Sequence, residues 1–339
     1  MKPFDLKSLV RPNIWSLKPY SSARDEFQGD EGIFLDANEN PFGMLNRYPD
    51  PHQKALKAAL SEAKDIPVEQ IFIGNGSDEV IDIIYRIFAI PGKDSVIVCP
   101  PTYGMYEVAA NINDIHVIEI PLLDNFQLDI NNILKQEAKL IFLCSPNNPT
   151  GNLLKNIDTV LQQFKGIVVV DEAYIDFRSD KSLLPSLDNY PNLIIMQTFS
   201  KAMALAGARV GIAFASAEIV ALMDKTKPPY NVSKLNQEAA LRALSNRREN
   251  SLRIGTIINE RENLIEELEK LPVVKKIYPS ESNFLLVEVA DANAVYRHLV
   301  NKKIIIRNRH SQVENCVRIT IGTPEENRRL LEELRKFSI

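Results

Sequence analysis

The sequence predicts an α/β protein in which a mostly parallel sheet lies between helices, followed by a smaller α+β domain. Three observations indicate this architecture. From about Gln70, short runs rich in β-branched residues alternate with helix-like segments, which is typical of a parallel sheet buried on both faces. After about Met223 this alternation stops, and a long charged helical segment follows. The chain also has 339 residues, which is long for one compact core.

The first thirty or so residues contain Pro3, Pro12 and Pro19 and show little periodicity, so we expect an extended arm. Beyond it, each predicted strand is followed by a predicted helix. The strand–helix pairs are 71–73 with a helix from Asp78, 95–99 with 103–111, 116–120 with 129–137, and 140–144 with 153–164. Three more strands are predicted at 167–170, 193–197 and 210–214.

The smaller domain is expected to begin after the breaker Lys227-Pro228-Pro229-Tyr230. Its predicted elements are a helix at 251–271, a strand at 283–289, a helix at 292–302, strands at 303–306 and 316–321, and a helix from Pro324. The predicted division is an N-terminal arm over residues 1–33, a large cofactor-binding domain over 34–230 and a small domain over 231–339.

The composition argues against several classes of partner. A formal net charge of −4 provides no electrostatic attraction to nucleic acid or to an anionic membrane. The start of the sequence lacks the apolar core of a signal peptide and no segment has the pattern of a membrane span, so the expected location is the cytoplasm. The three cysteines and four histidines lack metal-ligand spacing, and no metal site is expected. Cys99, Cys144 and Cys316 are interpreted as small core residues in a reducing compartment.

The most informative motif is Thr198-Phe199-Ser200-Lys201, with Arg209 eight residues after the lysine. In the functional interpretation the Lys201 amine forms a Schiff base, which requires its pKa to fall well below the free value near ~10.4. Taken alone, Lys201 would be expected to be a surface lysine at a helix start. The surrounding motifs favour the functional interpretation, because together they supply the groups that bind pyridoxal 5′-phosphate (PLP).

Phosphate-binding groups occur on both sides of the lysine and near residue 76. The hydroxyls of Thr198 and Ser200 and the guanidinium of Arg209 suit a phosphate dianion, and small residues between them let the backbone approach a ligand. A Gly-Asn-Gly-Ser-Asp-Glu segment lies between a predicted strand and helix, where free amides and the helix dipole form an anion site. We expect Ser77 and Asp78 to cap that helix and also to contact the cofactor phosphate.

Polar side chains also follow the predicted strands where ligands bind in open α/β sheets. Asp171 ends the apolar run 167–170, and its carboxylate could keep a pyridine nitrogen protonated. Tyr174 and Asn148 could donate hydrogen bonds to the phenolic oxygen of the ring. Tyr103 could stack on the pyridine face, although a buried core tyrosine is a serious competing interpretation. The competing interpretation of Asp171 is a loop cap.

These motifs resemble those of the fold-type I PLP enzymes, the aspartate aminotransferase superfamily, and within it the histidinol-phosphate aminotransferase family. The resemblance runs essentially from end to end. The segments that carry the narrower match are RPNI at 11–14, PYSSAR at 19–24, LDANENP at 35–41, RYPDP at 47–51, GNGSDE at 74–79, CPPTYGMY at 99–106, VDEAY at 170–174 and CVRITIGT at 316–323.

The resemblance implies a PLP-dependent transamination between histidinol phosphate and 2-oxoglutarate, which yields imidazole-acetol phosphate and glutamate in histidine biosynthesis. By similarity, Lys201 carries the cofactor, Asp171, Tyr174 and Asn148 tune its ring, and Ser77, Asp78, Ser200 and Arg209 hold its phosphate. Tyr48 would reach that phosphate from a partner subunit, which implies a homodimer with shared active sites.

The resemblance also assigns residues to the substrates. Arg318 would bind the carboxylate of 2-oxoglutarate or glutamate, and Tyr20 and Arg307 would help bind the phosphate of histidinol phosphate. Asn38 is also expected to bind substrate. The stretch from Arg307 to Arg318 is about two residues shorter than the family pattern, so Arg309 could share or take the role of Arg307.

Three alternatives stay open at this point. A threonine-phosphate decarboxylase would release carbon dioxide instead of transferring an amine to an acceptor. A broad aromatic amino acid aminotransferase would prefer an α-carboxylate over a phosphate. A non-enzymatic binding or regulatory protein on the same scaffold would bind PLP without turnover, although the intact set of Lys201, Asp171 and Arg209 argues against it.

Overall fold

The computed structural model describes residues 4–20 and 32–337, and these residues form two β-sheets covered by helices. In chain order the strands of the larger sheet are β1 (Ile71–Gly74), β2 (Ser95–Val98), β3 (His116–Glu119), β4 (Leu140–Cys144), β5 (Ile167–Asp171), β6 (Leu193–Thr198) and β7 (Gly211–Ala215). They lie side by side in the order β1-β7-β6-β5-β4-β2-β3.

The larger sheet is mostly parallel, as predicted. Strands β2 and β3, β2 and β4, β4 and β5, and β5 and β6 pair in parallel, whereas β7 runs antiparallel to its neighbours β1 and β6. The carboxyl ends of β4, β5 and β6 therefore meet at one edge of the sheet, where Asp171 ends β5 while Asn148 and Lys201 follow β4 and β6.

Helices cover both faces of this sheet, and alternate side chains of each strand enter opposite cores. In β4, Leu140 and Phe142 belong to one core, while Ile141 and Leu143 belong to the other. The helices in chain order are α1 (Leu6–Leu9), α2 (Pro12–Trp15), α3 (Lys54–Lys64), α4 (Ser77–Phe88), α5 (Met105–Ile112), α6 (Ile130–Ile133), α7 (Ile157–Gln163), α8 (Ala217–Thr226), α9 (Lys234–Ser245), α10 (Arg247–Leu268), α11 (Ala292–Asn301) and α12 (Pro324–Arg335).

The N-terminal residues differ from the extended arm expected from the sequence. Two helical turns, α1 and α2, place Leu6, Val10 and Ile14 in the core on one face of the larger sheet. Pro12 lies in the first turn of α2, where its missing N–H removes no helical hydrogen bond. The apolar residues recur every four positions, and this short helical period was hidden by the prolines around it.

The smaller sheet is entirely antiparallel and has four strands: β8 (Val274–Ile277), β9 (Phe284–Val289), β10 (Arg307–Asn308) and β11 (Cys316–Thr320). Their spatial order is β10-β11-β9-β8. Strand β8 was not predicted, because it is an edge strand with two exposed lysines in the middle of Val-Lys-Lys-Ile.

The strand predicted at 303–306 is wrong. The chain leaves α11 through Lys303, whose φ of 62° is left-handed, and the Ile304 amide donates to the Leu299 carbonyl. These residues therefore close the end of the helix, and pairing with β11 starts only at Arg307.

Helix α9 follows the predicted boundary near residue 230 but packs against α3, and its Ala240 is buried in one of the cores of the larger sheet. The third core lies between the smaller sheet and helices α10 to α12. A fourth apolar cluster joins the two parts through Tyr174, Phe177, Ala202 and Phe284. The division of the chain at residues 33 and 230 stays a prediction.

Candidate active site

A cavity of about 480 Å³ opens where the carboxyl edge of the larger sheet meets the face of the smaller sheet that carries Arg318. Most of the side chains singled out from the sequence line it. The lining residues are Ser77, Asp78, Tyr103, Cys144, Asn148, Asp171, Ala173, Tyr174, Thr198, Ser200, Lys201, Ala206, Arg209, Arg307, Arg309 and Arg318. Of these, Cys144, Ala173 and Ala206 carried no signal as site residues in the sequence.

Lys201 follows β6 by three residues and projects its amine into this cavity. The Nζ atom lies 5.5 Å from the centre of the Tyr174 ring. Although the side chain keeps access to solvent through the cavity mouth, burial of the amine lowers its pKa, and the Arg318 and Arg209 guanidiniums lower it further. Asp171 and Asp78 act in the opposite direction. The net lowering is the change that an amine nucleophile needs at neutral pH.

Asp171 is the last residue of β5 and forms the acidic part of the cavity, with only 3% of its surface exposed. Its Oδ1 atom accepts a hydrogen bond from the Ala173 amide at 3.0 Å, and its Oδ2 atom accepts one from the Tyr106 hydroxyl at 2.6 Å. Burial raises the pKa of Asp171, while the two donors and the Lys201 amine oppose that rise. Sequence reasoning missed Tyr106, since the residue lies in an apolar helix 65 positions away from its partner.

The start of α4 and Arg209 meet at one corner of the cavity, where the sequence predicted an anion site. The Arg209 guanidinium lies 3.1 Å from the Asp78 carboxylate, which also accepts a hydrogen bond from the Tyr103 hydroxyl at 3.2 Å. Gly76 precedes the helix with a φ of +80°, and a Cβ atom there would lie 2.7 Å from Arg209 Nη2. Glycine suits this position because its positive φ is one that L side chains rarely adopt, and the guanidinium packs directly on the turn.

Tyr103 also makes an edge-on contact with Tyr106, with ring centres 5.5 Å apart. The Tyr103 hydroxyl donates a hydrogen bond to Asp78, and the Tyr103 ring lines the cavity. This placement is compatible with stacking on a ligand, which stays a prediction.

The Tyr174 and Asn148 side chains lie between Lys201 and the smaller sheet. Tyr174 packs edge-on against Phe284, with ring centres 5.1 Å apart, and its burial raises the pKa of the phenol so that it stays a hydrogen-bond donor. Asn148 Oδ1 accepts a hydrogen bond from Arg318 Nη1. Its amide nitrogen is thereby left for another acceptor.

Three arginines on the smaller sheet face the cavity without a carboxylate partner among the described residues. Arg307 of β10 lies directly opposite Arg318 of β11, and Arg309 follows two residues later. Burial, together with Arg318 and Arg307, lowers the pKa of Arg309 to about 10, and burial also lowers the pKa of Arg318. The Nε atoms of Arg309 and Arg318 are buried without a hydrogen-bond partner. Such a cluster is costly by itself and is stabilised when an anion enters.

Three predicted residues do not line this cavity. Tyr48 stacks on Tyr230 with ring centres 4.4 Å apart, beside a second cavity of about 450 Å³ that Asn38 also lines. Tyr20 is 72% exposed and lies at the end of the first described segment. The segment match at 19–24 extends beyond Tyr20 into residues outside the described ranges.

Two further observations concern the described residues alone. They contain no group of three or more histidine, cysteine, aspartate or glutamate side chains arranged to hold a metal ion. Within residues 4–20 and 32–337, no helix is long and apolar enough to cross a membrane.

The residues around Lys201 fit PLP, the cofactor predicted from the sequence. An amine with a lowered pKa, a buried carboxylate and the corner formed by Arg209 and the start of α4 surround one cavity, and each group suits a different part of the cofactor. The close packing of Arg209 on the Gly76 turn leaves no room for a larger side chain at this corner of the cavity.

Comparison with known proteins agrees with this geometry. The family model for aminotransferases of class I and II matches residues 27–334. The chain belongs to this family. Among curated relatives, it is 53% identical to a histidinol-phosphate aminotransferase of Cytophaga hutchinsonii over 98% of this chain and 99% of that protein. It is 51% identical to a histidinol-phosphate aminotransferase of Christiangramia forsetii, with 99% of each chain covered.

Solved structures show the same fold at lower identity. The histidinol-phosphate aminotransferase from Clostridium acetobutylicum superposes with a TM-score of 0.79 at 25% identity, covering 86% of this chain and 90% of that one. An L-threonine-O-3-phosphate decarboxylase from Porphyromonas gingivalis reaches a TM-score of 0.73 at 23% identity, covering 86% and 91%. The fold alone therefore does not separate an aminotransferase from the decarboxylase considered above.

Proposed function

We propose that this aminotransferase transfers an amino group between histidinol phosphate and 2-oxoglutarate, with PLP as its cofactor, in the biosynthesis of histidine. Relatives about half identical over nearly the whole chain carry the name of that activity. The observation that carries the proposal is a set of three arginines that line the same cavity as Lys201 and have no carboxylate partner among the described residues. A substrate that presents a phosphate and an amine can satisfy both sides of such a cavity.

The cofactor is assigned to residues of the larger sheet and its loops. Lys201 would hold PLP covalently, and Asp171 would face its ring nitrogen. The side chains of Tyr174 and Asn148 would contact the ring oxygen, and Tyr103 would cover the ring. The phosphate would be held by Ser77, Asp78, Thr198, Ser200 and Arg209. When bound, PLP supplies an electron sink for the bond that breaks at the substrate carbon.

Lys201 is also assigned the proton transfer. Burial and two arginines lower the pKa of its amine, which favours the neutral form that can accept a proton from the substrate α-carbon. Asp171 is assigned a purely electrostatic role, since its depth and its two hydrogen-bond donors keep it away from substrate.

Two substrates must use one anion site. Histidinol phosphate has no α-carboxylate, so its phosphate would occupy the arginine face that the 2-oxoglutarate carboxylate occupies in the other half-reaction. Arg318 is assigned to both anions. Between the remaining two, the geometry favours Arg309, because it is half-buried with an unpartnered Nε atom whereas Arg307 is exposed. Tyr20 and Asn38 are retained as substrate contacts.

A homodimer with shared sites would account for the residues that lie outside the cavity. Tyr48 is turned toward Tyr230 of its own chain, and the nearby Leu35, Phe42 and Met44 are 88%, 83% and 95% exposed. A second copy that covers this apolar surface would bring its Tyr48 to the cofactor phosphate. We place the enzyme in the cytoplasm, in line with its biosynthetic role.

A substrate panel tests the proposed function against its alternatives. The purified enzyme, supplied with PLP and 2-oxoglutarate, is given histidinol phosphate, histidinol, phenylalanine, tyrosine or threonine phosphate. Glutamate and carbon dioxide are measured in parallel. We expect glutamate formation to be fastest with histidinol phosphate, by at least about tenfold in kcat/KM over histidinol. Carbon dioxide release from threonine phosphate would show the decarboxylase instead, and a preference for phenylalanine or tyrosine would show the broad aromatic enzyme.

A further inference from the structure

The buried Asp171 carboxylate is held by a phenol that has no direct access to substrate. Tyr106 has 0% of its surface exposed, and its hydroxyl donates to Asp171 Oδ2 at 2.6 Å. The Ala173 amide holds the other oxygen at 3.0 Å. Two donors on two different oxygens determine the plane of the carboxylate, so its remaining lone pairs have a defined direction.

The Tyr106 ring is itself held on several sides. It stacks on Phe142 with ring centres 4.9 Å apart and planes 18° apart, and it meets the edge of Tyr103. The Tyr85 hydroxyl donates to the backbone carbonyl of Tyr106 at 2.8 Å, which is a contact with the backbone and not with the phenol. Close packing of this kind leaves the phenol one rotamer, in which its hydroxyl points at Asp171.

The hydrogen bond from Tyr106 affects the ionisation of Asp171. Burial favours the protonated form of Asp171, and the hydrogen bond from Tyr106 is the largest of the effects that oppose it. The pKa of Tyr106 lies well above its ordinary value because the ring is buried next to Asp171. The phenol therefore donates throughout the physiological pH range and cannot take over the negative charge.

We propose that Tyr106 is a positioning residue that keeps Asp171 ionised and turned toward the ring nitrogen of the cofactor. This inference rests on the proposed PLP-dependent function and adds a residue to its machinery. In the proposed complex, Asp171 and the ring nitrogen of PLP would share one proton. Without the Tyr106 hydroxyl, this proton would lie closer to the carboxylate, and the ring would be a weaker electron sink.

The test compares Tyr106→Phe with Tyr85→Phe in the PLP-loaded enzyme. Both variants remove one buried hydroxyl from the same aromatic cluster, but only the first removes a donor to Asp171. The protonation of the ring nitrogen is read directly by ¹⁵N NMR with ring-labelled PLP. We expect its signal to move toward the unprotonated position in Tyr106→Phe and to stay in place in Tyr85→Phe.

Kinetics and a double variant complete the test. In Tyr106→Phe, kcat should fall about ten- to a hundredfold with little change in KM, since the phenol does not line the substrate cavity. In an Asp171→Asn background the same substitution should cause no further shift of the ¹⁵N signal, because no charge remains to be stabilised.

The outcomes separate the inference from the function on which it rests. An unchanged ¹⁵N signal in Tyr106→Phe, or an equal shift in Tyr85→Phe, would reduce Tyr106 to a packing residue even if the enzyme transaminates. Failure of the wild-type enzyme to transfer an amine from any donor would overturn the proposed function, while the ¹⁵N signal of bound PLP would still report on Tyr106.

Discussion

Arg318 donates a hydrogen bond to the side chain of Asn148, and this contact joins the two sheets at the active site. Asn148 follows β4 of the larger sheet, whereas Arg318 lies in β11 of the smaller one. The guanidinium also lies over the Phe284 ring, 5.2 Å from its centre. An arginine assigned to substrate is thus oriented by an amide assigned to the cofactor, which couples the two binding sites through one contact.

The first prediction concerns the covalent anchor. Reduction of the PLP-loaded enzyme with borohydride should attach the cofactor to the peptide that contains Lys201. Lys201→Ala should still bind PLP but lose at least about a thousandfold in kcat, because the anchor and the proton acceptor are removed together. Lys270→Ala, which changes an exposed lysine paired with Glu267, is the control and should keep full activity. Mass spectrometry that places the adduct on another lysine would refute the assignment.

A second prediction tests whether each site needs two chains. Lys201→Ala chains are mixed with chains that carry an inactivating Tyr48 substitution, and the subunits are allowed to exchange. If Tyr48 acts in its partner's site, each mixed dimer contains one intact site, so about a quarter of wild-type activity should return in an equal mixture. If subunit exchange is demonstrated and no activity returns, Tyr48 acts within its own chain.

The third prediction separates the arginines. Arg309→Gln should lower kcat/KM for histidinol phosphate by about ten- to a hundredfold, because a hydrogen bond to a charged group is worth about 1.5–3 kcal/mol. Arg307→Gln should lower it less, since Arg307 is exposed. Histidinol, which lacks the phosphate, should be affected little by either change. The control is Arg253→Gln, at a surface pair with Glu249. If kcat/KM for histidinol phosphate falls further in Arg307→Gln than in Arg309→Gln, Arg307 is the residue that binds the phosphate.

A fourth prediction uses the electrostatics of Lys201 in the cofactor-free enzyme. Its lowered pKa means that the amine should react with an acylating reagent at a lower pH than an ordinary lysine does. Arg318→Gln should raise the pH of half-maximal reactivity, because Arg318 lowers this pKa, whereas Asp171→Asn should lower it. The rate of modification at Lys201 is followed by mass spectrometry across pH. Shifts in the same direction in both variants would contradict the assigned causes.

The same pKa shift has a consequence for stability. In the cofactor-free protein the unfolded chain binds more protons at Lys201 than the folded protein does, between the lowered pKa of the folded state and the ordinary lysine pKa of 10.5. The contribution of this lysine to stability therefore rises with pH through that window and is lost as pH falls through the folded pKa. Urea titrations of wild type and Lys201→Met at several pH values should show a difference in unfolding free energy that changes with pH in this direction.

The last prediction concerns Gly211, which packs against the backbone of Gly76 and Ser77. A Cβ atom on Gly211 would lie 2.4 Å from the Gly76 carbonyl carbon and 2.5 Å from the Ser77 amide. Gly211→Ala should therefore displace the turn, destabilise the protein by about 1–3 kcal/mol and weaken PLP binding. Gly255→Ala is the matched control, because its Cβ would meet nothing within 4 Å and it lies inside α10. Urea denaturation and PLP titration measure both effects, and equal behaviour of the two variants would contradict this account.

The larger sheet and the residues at its strand ends could be predicted from the sequence. The run 167–170 is apolar because both faces of strand β5 are covered. Such an apolar run can be recognised in the sequence. Asp171 ends one such strand and Lys201 comes three residues after another, and parallel strands bring their carboxyl ends to one edge. Their meeting could therefore be predicted without coordinates.

The side chains that meet across long separations in the sequence could be identified only in the folded protein. The Tyr106 hydroxyl could have served as an ordinary core polar group, and its contact with Asp171 depends on the packing of α5 against the larger sheet. Arg309 rather than Arg307 is the more enclosed arginine, although the sequence around them does not distinguish the two. Local patterns record whether a residue is buried, whereas the identity of its partner is set by the three-dimensional packing of distant segments.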